Sequence, residues 1–268
     1  MDRVDAHVHA FPDRLALAVR GRLNERGGLD GGVLIGDVAA GIQAAGMHGA
    51  WILPYAHRAG VAEGINEWSA AEVTKFPWLV PGATFHPDDE DMTRLVERAL
   101  VELGLRVVKL HCSVGQFLAS DRRLAPLWEA AERAHVPVVV HAGYRSGGES
   151  AADEIEEIVP VLRAHPRLNL VLAHSGYPST GAALKLMARF ENLYGDLTPV
   201  WDRPVDISAA ELSQFPGRFL FGSDFPNNPI GIEEQANRIR EISMDERAMD
   251  MLMGGTAMRL QAGVNPDA

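Results

Sequence analysis

Histidine and aspartate fall in this chain where metal or acid–base chemistry would need them. His7 and His9 stand two apart in a β-rich run, and His111, His141 and His174 each close another such run. Asp196 and Asp224 lie in two further runs, and His57 and His86 lie just beyond two more, leaving only His48, His135 and His165 of the ten histidines elsewhere. Residues i and i+2 of a strand share a face, so His7 and His9 point to one side while Val8 points to the other. Neutral imidazoles with a carboxylate to offset charge suit a divalent cation, zinc first and manganese as the alternative. The plainer reading of the same residues is a hydrogen-bonded polar plug.

These groups can converge only if the elements that carry them do. Short β-rich runs at 3–9, 49–55, 79–85, 106–111, 137–141, 169–174, 193–197 and 218–224 alternate with amphipathic stretches. Residues 91–103, 121–134 and 153–164 each carry a helical apolar stripe, and Asp121 is placed to cap its helix. Eight strand–helix units in one chain predict a single-domain (β/α)8 TIM barrel over residues 1–268, of class α/β. In that architecture active sites form where the strands end, which is where the histidines fall. A doubly wound sheet would call for a glycine-rich turn after the first strand, and none follows residue 9. Residues 12–37, rich in glycine and arginine, read as a long loop over the barrel mouth, and 245–260 as a helix packed outside.

Composition narrows the function classes. With 36 acidic against 25 basic side chains the net charge is −11, which argues against nucleic acid or an anionic membrane as partner. No window approaches the ~20 apolar residues of a membrane span. The single cysteine, Cys112, excludes a disulfide framework, and a buried thiol of this kind is expected to be inert. The chain enters patterned sequence at once, so no leader and a cytoplasmic location are expected. Lysine occurs only at 75, 109 and 185, so Lys109, on the same strand face as His111, needs a reason for facing the barrel interior. Asp5, two before His7, could orient a ligand or cap the barrel floor. Tyr144 and Arg145, directly after His141, together with His111 and His57, are candidates to bind substrate; Trp201 and Tyr177 could line an aromatic pocket or pack loops.

The segments Val4-Asp-Ala-His-Val-His9, Val108-Lys-Leu-His111, Val138-Val-Val-His-Ala-Gly143, Leu172-Ala-His-Ser-Gly176 and Phe221-Gly-Ser-Asp-Phe-Pro226 resemble those of the amidohydrolase superfamily. The resemblance is greatest to the branch that holds amino-carboxymuconate-semialdehyde decarboxylase, the resorcylate decarboxylases and TIM-barrel metal-dependent hydrolases. It implies metal ligands at His7, His9, His141 and Asp224, with Asp224 and His174 catalytic. His174 could alternatively hold a second metal, which a carboxylated Lys109 would bridge. It also implies a small-molecule substrate and a homodimer. Two reactions follow from it. Hydrolysis of a small carboxylic ester, lactone or amide by an activated water is the first expectation, because the chain looks short for the decarboxylases' loops. Non-oxidative decarboxylation of an aromatic or muconate-like acid is the alternative.

Overall fold

The β-rich runs pair in chain order. The structure is a computed structural model and describes residues 2–25, 27–142 and 155–263; Tyr144 and Arg145 lie outside the described residues. Strands β1 (Val4–Val8), β2 (Gly49–Ile52), β3 (Leu79–Val80, resuming as Gly82–Thr84), β4 (Val107–His111), β5 (Val138–His141), β6 (Leu170–Leu172), β7 (Leu193–Asp196) and β8 (Phe219–Leu220) each lie parallel to the next. Pro81 interrupts β3, having no N–H to give a ladder; the first half pairs with β2 and the second with β4. The ring closes from β8 back to β1: Ala6 N–H donates to Phe221 O at 2.9 Å, His9 N–H donates to Phe225 O at 2.8 Å, and Val8 bridges Phe225. Among the described residues this is the eight-stranded parallel barrel that the sequence predicts.

Helices cover the outside: α1 (Asp13–Asn24), α2 (Ile35–Ala44), α3 (Ala62–Glu72), α4 (Met92–Glu97), α5 (Ala125–Ala134), α6 (Val159–Ala164), α7 (Thr180–Met187), α8 (Ala209–Gln214), α9 (Ile232–Arg240), α10 (Glu246–Asp250) and α11 (Thr256–Ala262). Strand alternation sorts the side chains. Val108, Leu110, Val138, Val140, Leu170 and Leu172 pack against the helices, while Val107, Val139, Val171, Tyr194 and Leu220 fill the barrel interior. Lys109 and His111 therefore share the interior face with Val107. Register then sets His111 opposite His141.

Two expectations change. Helix α1 occupies much of the stretch expected to be a loop. The glycines that suggested a loop cluster after it, and Arg20 of α1 turns inward to donate to the carbonyls of Asp30, Gly31 and Pro226. The C-terminal helix is not simply an outer layer either. Ala257 and Leu260 of α11 join the interior cluster, and Gln261 and Arg259 donate to the carbonyls of Arg106 and Gly217, which precede β4 and β8. Helix α11 thus closes the floor of the barrel, opposite the ends that carry the histidines. No described helix is long and apolar enough to cross a membrane.

Candidate metal centre

His7, His9 and Asp224 come together: one ligand atom from each lies within 4.8 Å of the others. His9 and Asp224 sit just past their strands. The sequence places Asp224 and His174 on strand ends, but β8 stops at Leu220 and β6 at Leu172. His174, Ser175 and Asp224 instead occupy turns with positive φ (53°, 47° and 62°), a region that side-chain-bearing residues adopt at a cost and that concentrates at functional sites.

Each of three imidazoles is oriented by a partner at Nδ1. His9 donates to Leu53 O at 2.6 Å, His174 to Thr198 O at 3.1 Å, and His7 to Asp196 Oδ2 at 2.9 Å. Fixing the proton on Nδ1 leaves the Nε2 lone pair for a ligand. His9 Nε2 then faces Asp224 Oδ1 at 2.9 Å, two acceptors in contact, which is favourable only with a cation or an extra proton to share. Asp196 Oδ1 also accepts the backbone N–H groups of His174 (2.7 Å) and Thr198 (3.2 Å), so this one buried carboxylate orients the His7 imidazole and holds the backbone that carries His174. These donors fit a divalent metal: neutral nitrogens and a carboxylate, with hydrogen-bonded partners behind them.

The ionisation states agree. Burial, with Lys109 nearby, pushes His7 down to about 3, so the imidazole stays neutral and basic at Nε2. Burial also lowers His174, against Asp196 and Asp224, and holds His111 and His141 well below the ordinary imidazole value, where neighbouring positive groups add to the effect. Burial alone would raise Asp224, but the close His9 ring and the nearby His7 and His174 hold it at about 2. Asp196 is likewise held down against burial by His7. Burial lowers Lys109 to about 8, against Asp196 and Asp224; its Nζ lies 3.2 Å from His7 Nε2. Asp5 rises to about 7 through burial, although Ser223 and His7 hydrogen-bond to it.

The remaining candidates divide. The His174 ring is 5.0 Å from that of His7 and 4.8 Å from that of His141, centroid to centroid. His141 lies outside the three-residue ligand group and stacks on His111 at 4.0 Å. His111 Nδ1 accepts the Val114 N–H at 3.4 Å. His57 is exposed on the loop after β2, with Arg58 and His86 as its charged neighbours, and does not join the site. His86 is used structurally, its Nε2 3.0 Å from Gly115 O. Tyr55, which the sequence reading did not count among the site residues, packs edge-on against His9, Phe11 and His111. Asp196, which its position at a strand end already singles out in the sequence, gains its role only here, as the partner of His7.

No curated protein sequence matches the chain. Solved structures do. An uncharacterised TIM-barrel protein from Bordetella bronchiseptica is 21% identical, over 98% of this chain and 99% of that one, with a TM-score of 0.76. A dihydroxybenzoic acid decarboxylase from a Polaromonas species, solved with manganese and the inhibitor 2-nitroresorcinol, is 17% identical over 97% of both chains, TM-score 0.73. The 5-carboxyvanillate decarboxylase of Sphingomonas paucimobilis is 16% identical over 97% of this chain and 99% of that one, TM-score 0.71. These overturn the expectation of ester, lactone or amide hydrolysis, since the solved neighbours are mainly metal-dependent decarboxylases. The family model described as amidohydrolase matches residues 4–260, and the chain belongs to that family.

Proposed function

We propose that this protein is a metal-dependent, non-oxidative decarboxylase of a small aromatic or muconate-like carboxylic acid. The observation that carries this reading is the inward group of His7, His9 and Asp224 beside a neutral His174, on a fold whose neighbours of named activity decarboxylate dihydroxybenzoate and carboxyvanillate. His7, His9 and Asp224 would hold the cation, with His141 as the further ligand that the family resemblance implies. A divalent cation, manganese or zinc, would supply a Lewis acid for the substrate's carboxylate and an adjacent hydroxyl or carbonyl oxygen.

The protein's own groups would manage the proton. Asp224, ionised with a pKa of about 2, is a carboxylate when substrate arrives. It can take the proton of a substrate hydroxyl next to the carboxylate and pass it to the ring carbon that bears the carboxylate. The carbon–carbon bond then breaks, its electron pair returns through the ring to the hydroxyl oxygen, and carbon dioxide leaves. A proton from solvent restores the hydroxyl. His174, neutral and tethered at Nδ1, can accept a hydrogen bond at Nε2 from a substrate hydroxyl and keep it oriented.

Metal-loaded protein should release carbon dioxide from at least one member of a panel of hydroxybenzoates, carboxyvanillate and muconate analogues. His174→Ala should lower kcat by ~10²–10⁴. His9→Ala and Asp224→Ala should abolish turnover while the protein stays folded. Metal content below a tenth of an equivalent after metal-supplemented expression, or a fully active Asp224→Ala, would overturn the reading.

A further inference from the structure

Asp5 is fully buried in β1, and the proposed reaction gives it no part; of the two roles its sequence position allows, orienting a ligand or capping the floor, the geometry favours the first. We propose that the Asp5 carboxylate, acting with Ser223, is a positioning residue that holds the His7 and Asp224 sides of the metal centre in register across the barrel seam. The inference rests on the metal-binding reading above.

The seam needs such a device. Strand β8 ends at Leu220, and the chain then turns through residues 221–225 before rejoining β1 at the Val8–Phe225 bridge. Within this turn Asp224 has φ 62°, which a residue with a Cβ keeps only when its surroundings hold it there. Gly222 tightens the same turn, because a Cβ there would collide with Thr198 Oγ1 and with Cβ of His7. The Ser223 N–H, directly before the ligand, is taken by Asp5 Oδ1 at 3.1 Å. The same oxygen accepts the N–H of His7, also at 3.1 Å. Asp5 Oδ2 accepts the Ser223 hydroxyl at 2.6 Å, and Ser223 Oγ accepts the N–H of Phe225 at 3.1 Å. On the other side of the seam, Asp224 N–H donates to His7 O at 2.9 Å.

One carboxylate therefore reaches the backbone N–H of one ligand directly, and through Ser223 it brackets the peptides on both sides of the other. A residue that merely glued the seam would not need to contact these particular peptide groups. Ligand positions have to be held to within about 0.5 Å for a site to work, so releasing this clamp should cost metal affinity first.

The test is metal affinity by chelator competition together with the visible spectrum of the cobalt(II)-loaded protein, for Asp5→Ala, Asp5→Asn and Ser223→Ala. Asp5→Ala and Ser223→Ala should weaken binding by ~10–100-fold and shift the cobalt bands. Asp5→Asn keeps an oxygen for the two backbone N–H groups and should recover most of both. A folded Asp5→Ala with wild-type affinity and spectrum overturns the proposal. If Asp5→Ala does not fold, Ser223→Ala decides by the same two readouts. Wild-type protein that binds no metal is a different failure: it removes the metal reading itself, and this inference with it.

Discussion

The orientation of His7 decides whether the centre can exist, and Asp196 decides the orientation. With Asp196 ionised, Nδ1 must carry the proton and Nε2 must face the site. Asp196→Asn keeps the shape but presents an amide N–H2 that can donate to Nδ1, favouring the tautomer whose Nε2 is protonated and cannot ligate. Metal affinity should fall by ~10–100-fold in that variant, as read by chelator competition; unchanged affinity would mean that His7 is oriented by something else. That His7 and His9 converge was legible in the sequence, because period-two alternation puts both on one face. Their orienting partners were not. Leu53 O lies 44 residues from His9, Asp196 lies 189 from His7 and Thr198 O lies 24 from His174, and such pairings depend on barrel register, which local pattern does not encode. His57 shows the opposite error, since a histidine just past a strand can equally lie in an exposed loop.

Strands and helices were read better than the turns that finish them. Each valine-rich run became a strand because branched side chains on alternate faces can pack both the interior and the helix layer. The ends of β6 and β8 were overrun because the residues that follow, Ala173 and Phe221 among them, are apolar and buried whether or not they belong to the ladder. Helix α11 was placed outside for a similar reason: its amphipathic pattern shows that it packs, not against which end. Its position separates two functions of the barrel, with stability at the floor and chemistry at the mouth. Leu260→Ala should therefore destabilise the protein by about 2–5 kcal/mol, measured by urea unfolding, while leaving the metal affinity of the folded fraction unchanged. A loss under 0.5 kcal/mol, well below this range, would show that α11 does not plug the interior.

At the scale of the whole molecule, gathering so many neutral imidazoles in one buried place makes the metal-free fold acid-sensitive. His7 titrates near 3, and His111, His141 and His174 are all lowered, whereas each takes up a proton near pH 6.5 once unfolded. Below that pH the unfolded chain binds up to four more protons at these positions. Asp5 works the other way: with a folded pKa of about 7 against 3.8, the native state holds one extra proton between those values. Asp5 thus offsets part of the histidine effect, and each proton that the unfolded chain binds in excess costs the fold ~1.4 kcal/mol per pH unit of acidification. The histidine contribution is intact above pH 6.5 and is lost as pH falls towards 3. Chelator-treated protein should accordingly lose Tm steadily as pH falls below 6.5. Bound cation, which selects the native state, should raise the whole curve at neutral pH. A urea midpoint that stays flat from pH 7 to 4.5 in the metal-free protein would mean that these histidines are not held neutral in the fold, and the lone pairs assigned to the metal would go with them.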